Sequence, residues 1–386
     1  MRPDRRADVK IETGAKTEIA RVERPRPGVW WTFAAASAVL LGAAFAYLPS
    51  FGPHAQYGYK VLGSFWASGW AAAHGLNPYA VCPLTWTFHL DGHAGTVVDL
   101  NLSPPALLPF FAAFSWVSVD AAVRAWTLVS ALLMIGSGAL LVGANRGHVQ
   151  HRQILWFLLA RAMFNTLWLG QDYSLMIALA VGAWVLLERD HELAAGIALG
   201  LLMAAKPNYA LWPLLLVFCG RWKASAVAAG VAAALCALPL ALYGPGIYGE
   251  WMRAVASDPH WFFPNEVSLI GLATRMGHAR TGEAAAAVLL VAACAVVAWK
   301  RPSLRVTSGV ALSVGMLGSP LAWYQYAMLL AGPLFARRWN WALTVVLALL
   351  LQPWAPAFFV PVCVVAGWFL WEAGRGETVR TETASG

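Results

Sequence analysis

Residues 51–105 read FGPHAQYGYKVLGSFWASGWAAAHGLNPYAVCPLTWTFHLDGHAGTVVDLNLSPP. The stretch is rich in Trp, Tyr, His, Gly and Pro, and carries only Lys60, Asp91 and Asp99 as full charges. Apolar segments lie on both sides of it and recur from Trp30 to Trp371. A helix crosses a bilayer with about 20 predominantly apolar residues. The stretch therefore reads as a wet, aromatic loop pinned between membrane segments, and the chain as an all-α, polytopic transmembrane bundle. Long ordered loops are usually functional, so this one is expected to line a site.

Composition points the same way. The chain is 59% hydrophobic and 12% charged, with a mean hydropathy of +0.59. Soluble domains average about half apolar and a quarter charged, which excludes a single water-soluble core. Twenty-one Trp and ten Tyr suit interfacial belts and aromatic cavities. The net charge of +8 is no nucleic-acid signal, because the excess Lys and Arg sit in short loops and tails. The partner expected from composition is the lipid bilayer. Cys82, Cys219, Cys236, Cys294 and Cys363 lack metal-ligand spacing and read as small core residues. Residues 1–28 form a mixed-charge tail unlike a signal peptide, expected to be disordered and cytoplasmic.

Apolar segments fall at 30–49, 104–118, 121–144, 153–169, 173–188, 193–205, 208–220, 224–243, 283–299, 305–318, 321–336, 339–352 and 355–371, giving a bundle of about 12 helices over 29–371. Residues 51–103 and 244–282 are its long loops, and 372–386 a second tail. Basic residues recur at every second loop: Arg189, Arg221 with Lys223, Lys300 with Arg301 and Arg305, Arg337 with Arg338. By the positive-inside rule those loops are cytoplasmic and the alternate ones, the first loop included, are outside. Three segments (104–118, 121–144, 153–169) then join two loops on one side, which parity forbids. The segment from Pro104, interrupted by Pro109, is the expected half-crossing.

Polar residues crowd the outer loops. Asp91 stands in a turn-forming Asp-Gly pair. Asp99 lies between apolar residues just before a membrane segment, where a charge is expensive without a role. A carboxylate so placed can take a proton from a hydroxyl nucleophile. Lys206 sits outside, against the basic trend, and suits a phosphate; the alternative is a snorkelling lysine. Gln171 could bind a sugar hydroxyl, whereas Asp172 reads as the cap of the helix at 173. Arg275 could pair with phosphate or with Glu266. Trp323 and Gln325 sit where a sugar or an aromatic belt would suit equally. No phosphate loop, GxSxG, HExxH or dinucleotide fingerprint occurs, so a nucleotide-driven pump or soluble-type hydrolase is not expected.

The order of motifs resembles glycosyltransferase family 87. Those motifs are Gly75-Leu-Asn77-Pro78-Tyr79, Asn101-Leu-Ser-Pro104-Pro105, Gly170-Gln171, Lys206-Pro207, Asn265-Glu266-Val267-Ser268-Leu269 before Arg275, and Ser319-Pro320 with Trp323. The family comprises polytopic GT-C enzymes, among them polyprenyl-phosphate-mannose-dependent α-1,2-mannosyltransferases. The resemblance implies inverting transfer of a hexose, mannose foremost, from a polyprenyl-phosphate sugar to a glycan or glycolipid acceptor. It implies an active site on the extracytoplasmic face of the inner (plasma) membrane and no cofactor or metal. A first-loop carboxylate would act as base, and Lys60, Asn77, Tyr79, Gln171, Lys206, Asn265, Glu266, Arg275, Trp323 and Gln325 would bind substrate. Two positions depart from the pattern. No acid occurs between Phe51 and Leu90, so Asp99 or Asp91 would have to serve, and Gln325 and Tyr326 stand where histidine is usual. A transport or non-catalytic role for lipid-linked sugars is the competing reading; the crowding of polar residues on one face favours the enzyme.

Overall fold

The computed structural model describes residues 27–52, 58–80, 88–90, 93–95, 100–257, 266–349 and 356–375. These are helical apart from short connections and a two-stranded antiparallel ribbon, β1 (Phe88–Leu90) with β2 (His93–Gly95). Helix α1 (Pro27–Tyr47) leads into the first loop, which holds α2 (Lys60–Ala73). A short 3-10 turn (Pro105–Leu107) and α3 (Leu108–Phe114) follow. Seven residues of helix reach only about 10 Å, a third of the ~30 Å hydrocarbon core. The segment from Pro104 thus does not cross by itself.

Helix α4 (Val119–Ala144) does have the length to cross. Ser118 caps it by accepting from the Ala121 N–H, and Asp120 sits favourably in its first turn. The segment after it is broken. Residues 153–169, expected as one span, are α5 (His151–Leu159) and α6 (Arg161–Leu169), separated by Ala160 in an extended conformation. Among the described residues between 105 and 170, α4 is thus the helix long and apolar enough to cross a membrane by itself. Gly170, left-handed at φ 68°, ends α6 in the ordinary glycine manner.

Helix α7 (Tyr173–Glu188) runs beside α4, its first turn joined to the middle of α4 by Ser174 Oγ donating to Ser130 Oγ at 2.9 Å. Next come α8 (Glu192–Ala205), α9 (Leu211–Phe218) and α10 (Trp222–Tyr243). Helix α8 packs closely on α10 because Gly196 and Gly200 face it: a Cβ at either would come 2.6 Å from Val227 or Val231. Helices α11 (Ile247–Ser257) and α12 (Leu269–Arg275) belong to the second long loop. Then follow α13 (Ala279–Lys300) and α14 (Leu304–Leu317). The segment 321–336, expected as a span, is instead a 3-10 stretch (Tyr324–Leu330) running into the five-residue α15 (Ala331–Phe335). The chain closes with α16 (Trp341–Ala348) and α17 (Pro356–Arg375).

Among the described residues, α1 with its following turn, α4, α10 and α13 are long and apolar enough to cross a membrane. Five further apolar helices of 10–17 residues fall short of that length. The core runs through the middle of the bundle, with Trp184, Trp212, Phe157 and Phe335 fully buried.

Candidate active site

A cavity of about 210 Å³ opens where the first loop, the α6–α7 junction, the α8–α9 connection and the 3-10 stretch meet. Its apolar wall includes Val61 and Phe65 of α2, Leu100 and Leu102. Its polar side carries Ser103, Asn165, Gln171, Asp172, Lys206 and Gln325, with Trp323 beside them.

The backbone around the cavity is fixed by side chains expected to bind substrate. Asn77 Oδ1 accepts from the Tyr79 and Ala80 N–H groups at 3.0 and 3.3 Å, an Asx turn. That turn aims Tyr79, whose hydroxyl donates to the Ser103 carbonyl at 2.8 Å. Trp251 Nε1 donates to the neighbouring Leu102 carbonyl at 3.0 Å. Two loops far apart in sequence therefore clamp the strip 102–103 against the cavity.

Glu266 does a similar job on the opposite wall. It is 1% exposed, and its Oε1 accepts from the Ser268 and Ala322 N–H groups at 3.0 and 3.1 Å. Arg275 faces it, Nη1 3.6 Å from Oε2, and Arg275 Nη2 donates to the Glu266 carbonyl at 3.1 Å. Of the two partners open to Arg275 in the sequence, the structure supplies Glu266. Burial raises the Glu266 carboxyl pKa, opposed by these donors and by Arg275. The pair holds the backbone that presents Trp323, through the Val267 N–H donating to the Ala322 carbonyl at 2.7 Å. Lys60 points away from the cavity: its Nζ donates to Ser50 Oγ at 3.0 Å and lies 4.4 and 4.2 Å from the Phe51 and Trp168 ring centroids. Burial lowers its pKa to about 8.

Lys206, Gln171, Gln325 and Trp323 do converge on the cavity, from three parts of the chain. Lys206 Nζ is 5.8 Å from the ring centroids of both Tyr173 and Tyr326. Gln325 Nε2 donates to Gln171 Oε1 at 3.3 Å, while Gln325 Oε1 is buried without a partner. Asp91, Asp99 and Asn265 lie outside the described residues, although Leu100, next to Asp99 in sequence, is part of the wall.

The sequence reading missed Asp172. It was expected to cap α7, but its side chain makes no capping hydrogen bond. The residue lines the cavity instead, 4% exposed, with Oδ2 buried and unpartnered. Burial raises its pKa, and the charge of Lys206 works against that rise. Among the described residues no group of three His, Cys, Asp or Glu could hold a metal ion.

A model of glycosyltransferase family 87 matches residues 101–323, more than half of the 386-residue chain. The chain belongs to glycosyltransferase family 87. It is a membrane glycosyltransferase. The family match takes in the clamped strip at 102–103, the α6–α7 junction, Lys206 and Glu266, and ends at Trp323. Searches of curated proteins and of solved structures return no match.

Proposed function

We propose that this glycosyltransferase moves a hexose, mannose foremost, from a polyprenyl-phosphate donor to a hydroxyl of a glycan or glycolipid acceptor, with inversion. The site faces outward from the inner membrane, and the short apolar helices contribute to about twelve crossings of a GT-C-type bundle. One observation carries this reading: a lysine and buried, under-satisfied polar groups meet beside Trp323 in one cavity. Buried polar groups normally find partners, so Asp172 Oδ2 and Gln325 Oε1 mark places for a ligand's hydroxyls. Lys206 suits the phosphate, whose negative charge grows as the glycosidic bond breaks. The Trp323 ring offers an apolar face to a sugar.

The chemistry needs no nucleotide. The acceptor oxygen bonds to the anomeric carbon, the bond to phosphate oxygen breaks, and its electron pair leaves with the polyprenyl phosphate. A carboxylate must take the acceptor proton; Asp99 and Asp91 are the first-loop candidates.

The test is transfer of radiolabel from polyprenyl-phosphate-mannose in membranes containing the native chain or Lys206→Gln. A hydrogen bond to a charged group contributes about 1.5–3 kcal/mol. The variant should therefore be roughly 10- to 150-fold slower, mainly in kcat. Equal rates would remove Lys206 from the phosphate site.

A further inference from the structure

We propose that Asp172 is the general base of the transfer. This inference rests on the glycosyl-transfer reading above and names the group that accepts the acceptor's proton.

Among the described residues lining the cavity, Asp172 is the one carboxylate. The other buried acid nearby, Glu266, is not among the residues lining the cavity: its Oε1 accepts from two backbone N–H groups, and its Oε2, without a hydrogen bond, lies 3.6 Å from the Arg275 guanidinium. A carboxylate held against an arginine outside the cavity is poorly placed to act as base. Asp172 Oδ2 also lacks a hydrogen-bond partner, and its residue, 4% exposed, stands on the cavity wall itself. Its backbone is fixed on both sides. The Gln171 carbonyl accepts from Trp126 Nε1 at 3.3 Å, and the Asp172 carbonyl accepts from Leu175 and Met176 in the first turn of α7. The side chain is therefore presented by a rigid element while its Oδ2 is left without a hydrogen-bond partner.

In the step, Asp172 removes the proton as the acceptor oxygen attacks the anomeric carbon. The carboxyl then holds that proton, and the departing phosphate carries the negative charge beside Lys206. The site gains no net charge, which suits a desolvated setting. Groups facing Asp172 are Lys206 from the α8–α9 connection and Tyr173 on its own helix; Tyr326 from the 3-10 stretch interacts with both of those. Burial makes the carboxylate more basic, and the charge of Lys206 opposes that rise.

A plain counter-ion to Lys206 would sit in the same place, so the experiment separates the two roles. The native chain, Asp172→Asn, Asp172→Glu and Asp99→Asn are assayed for transfer from polyprenyl-phosphate-mannose and polyprenyl-phosphate-glucose, recording kcat, donor KM and the pH profile. As base, Asp172→Asn should lower kcat by about 10²-fold or more, with donor KM within a few-fold of native. The acid limb of the native profile, set above the ordinary carboxylate range, should vanish in Asp172→Asn, and Asp172→Glu should recover part of the rate. Asp99→Asn should keep the native limb. Near-native kcat in Asp172→Asn, or a changed KM with an unchanged pH limb, would overturn the assignment. So would loss of the limb in Asp99→Asn alone. No transfer by the native chain from either donor would overturn the donor reading itself, and the base with it.

Discussion

Gly271 shows how closely one residue can govern the cavity from outside it. A Cβ there would lie 1.4 Å from Glu266 Oε2. Moving that carboxylate breaks its bonds to the Ser268 and Ala322 N–H groups, and a buried donor left unsatisfied costs about 1–3 kcal/mol. Gly271→Ala should therefore lower the thermal midpoint of the detergent-solubilised protein and displace Trp323. Weakened donor binding would report the displacement; a variant with native midpoint and native donor KM would show that the wall adjusts freely. At this scale the sequence was partly legible. Lys206 stood out because a lone cation on the less basic side needs a reason. Asp172 did not, because an acid before a helix is the ordinary capping signature and only tertiary packing shows its side chain turned inward. Glu266, Asn77 and Tyr79 were noticed for their polarity, yet their hydrogen bonds go to backbone, which no spacing in the sequence reveals.

Among elements, hydropathy found the apolar helices, but not α2, α11 and α12 within the two long loops, nor where helices break. The interruption at Ala160 has no Pro or Gly to announce it, only the charge of Arg161 in an apolar run. The 3-10 stretch at Tyr324–Leu330 was equally hidden, since its residues are apolar and aromatic like those of a span. Close helix pairs were also silent in the pattern, because glycines read as mere breakers. The α8–α10 pair depends on Gly196 and Gly200, whose Cβ atoms would meet the Ala224 and Ala228 carbonyls at 2.7 and 2.8 Å as well as the valines. Overpacking of this kind costs about 1–3 kcal/mol. Gly200→Leu should lower the thermal midpoint and, by shifting α8, move Lys206 at its C-terminal end; the activity lost should exceed that lost by Leu201→Ala on the exposed face. Equal losses would show that the pair is loosely packed.

In the whole molecule, charge is arranged by side. Glu372 near the end of α17 receives Arg305 at 2.9 Å and Arg337 at 2.7 Å, tying the last helix to two basic connections. The positive-inside rule assigns those connections to the cytoplasm and the loops of Lys206 and Asp172 to the other side. Exposed His74 of the first loop and exposed Gly147 after α4 should then lie on different sides. With a membrane-impermeant maleimide, His74→Cys should be labelled in intact cells and Gly147→Cys only after the membrane is opened, against the native chain as background. Labelling of both in intact cells would refute a crossing by α4.

The seven-residue α3 has a bearing on how the chain is made. To a ribosome-bound insertion machinery that senses hydropathy, α3 and α4 arrive almost as one apolar run, yet only α4 has the length to cross. Helix α2 is synthesised first, and its Phe65 stacks on Phe111 of α3 at 4.5 Å between ring centroids. Gly69 leaves the groove into which the Phe111 backbone fits. Biosynthetic order thus delivers the docking surface before the helix that needs it.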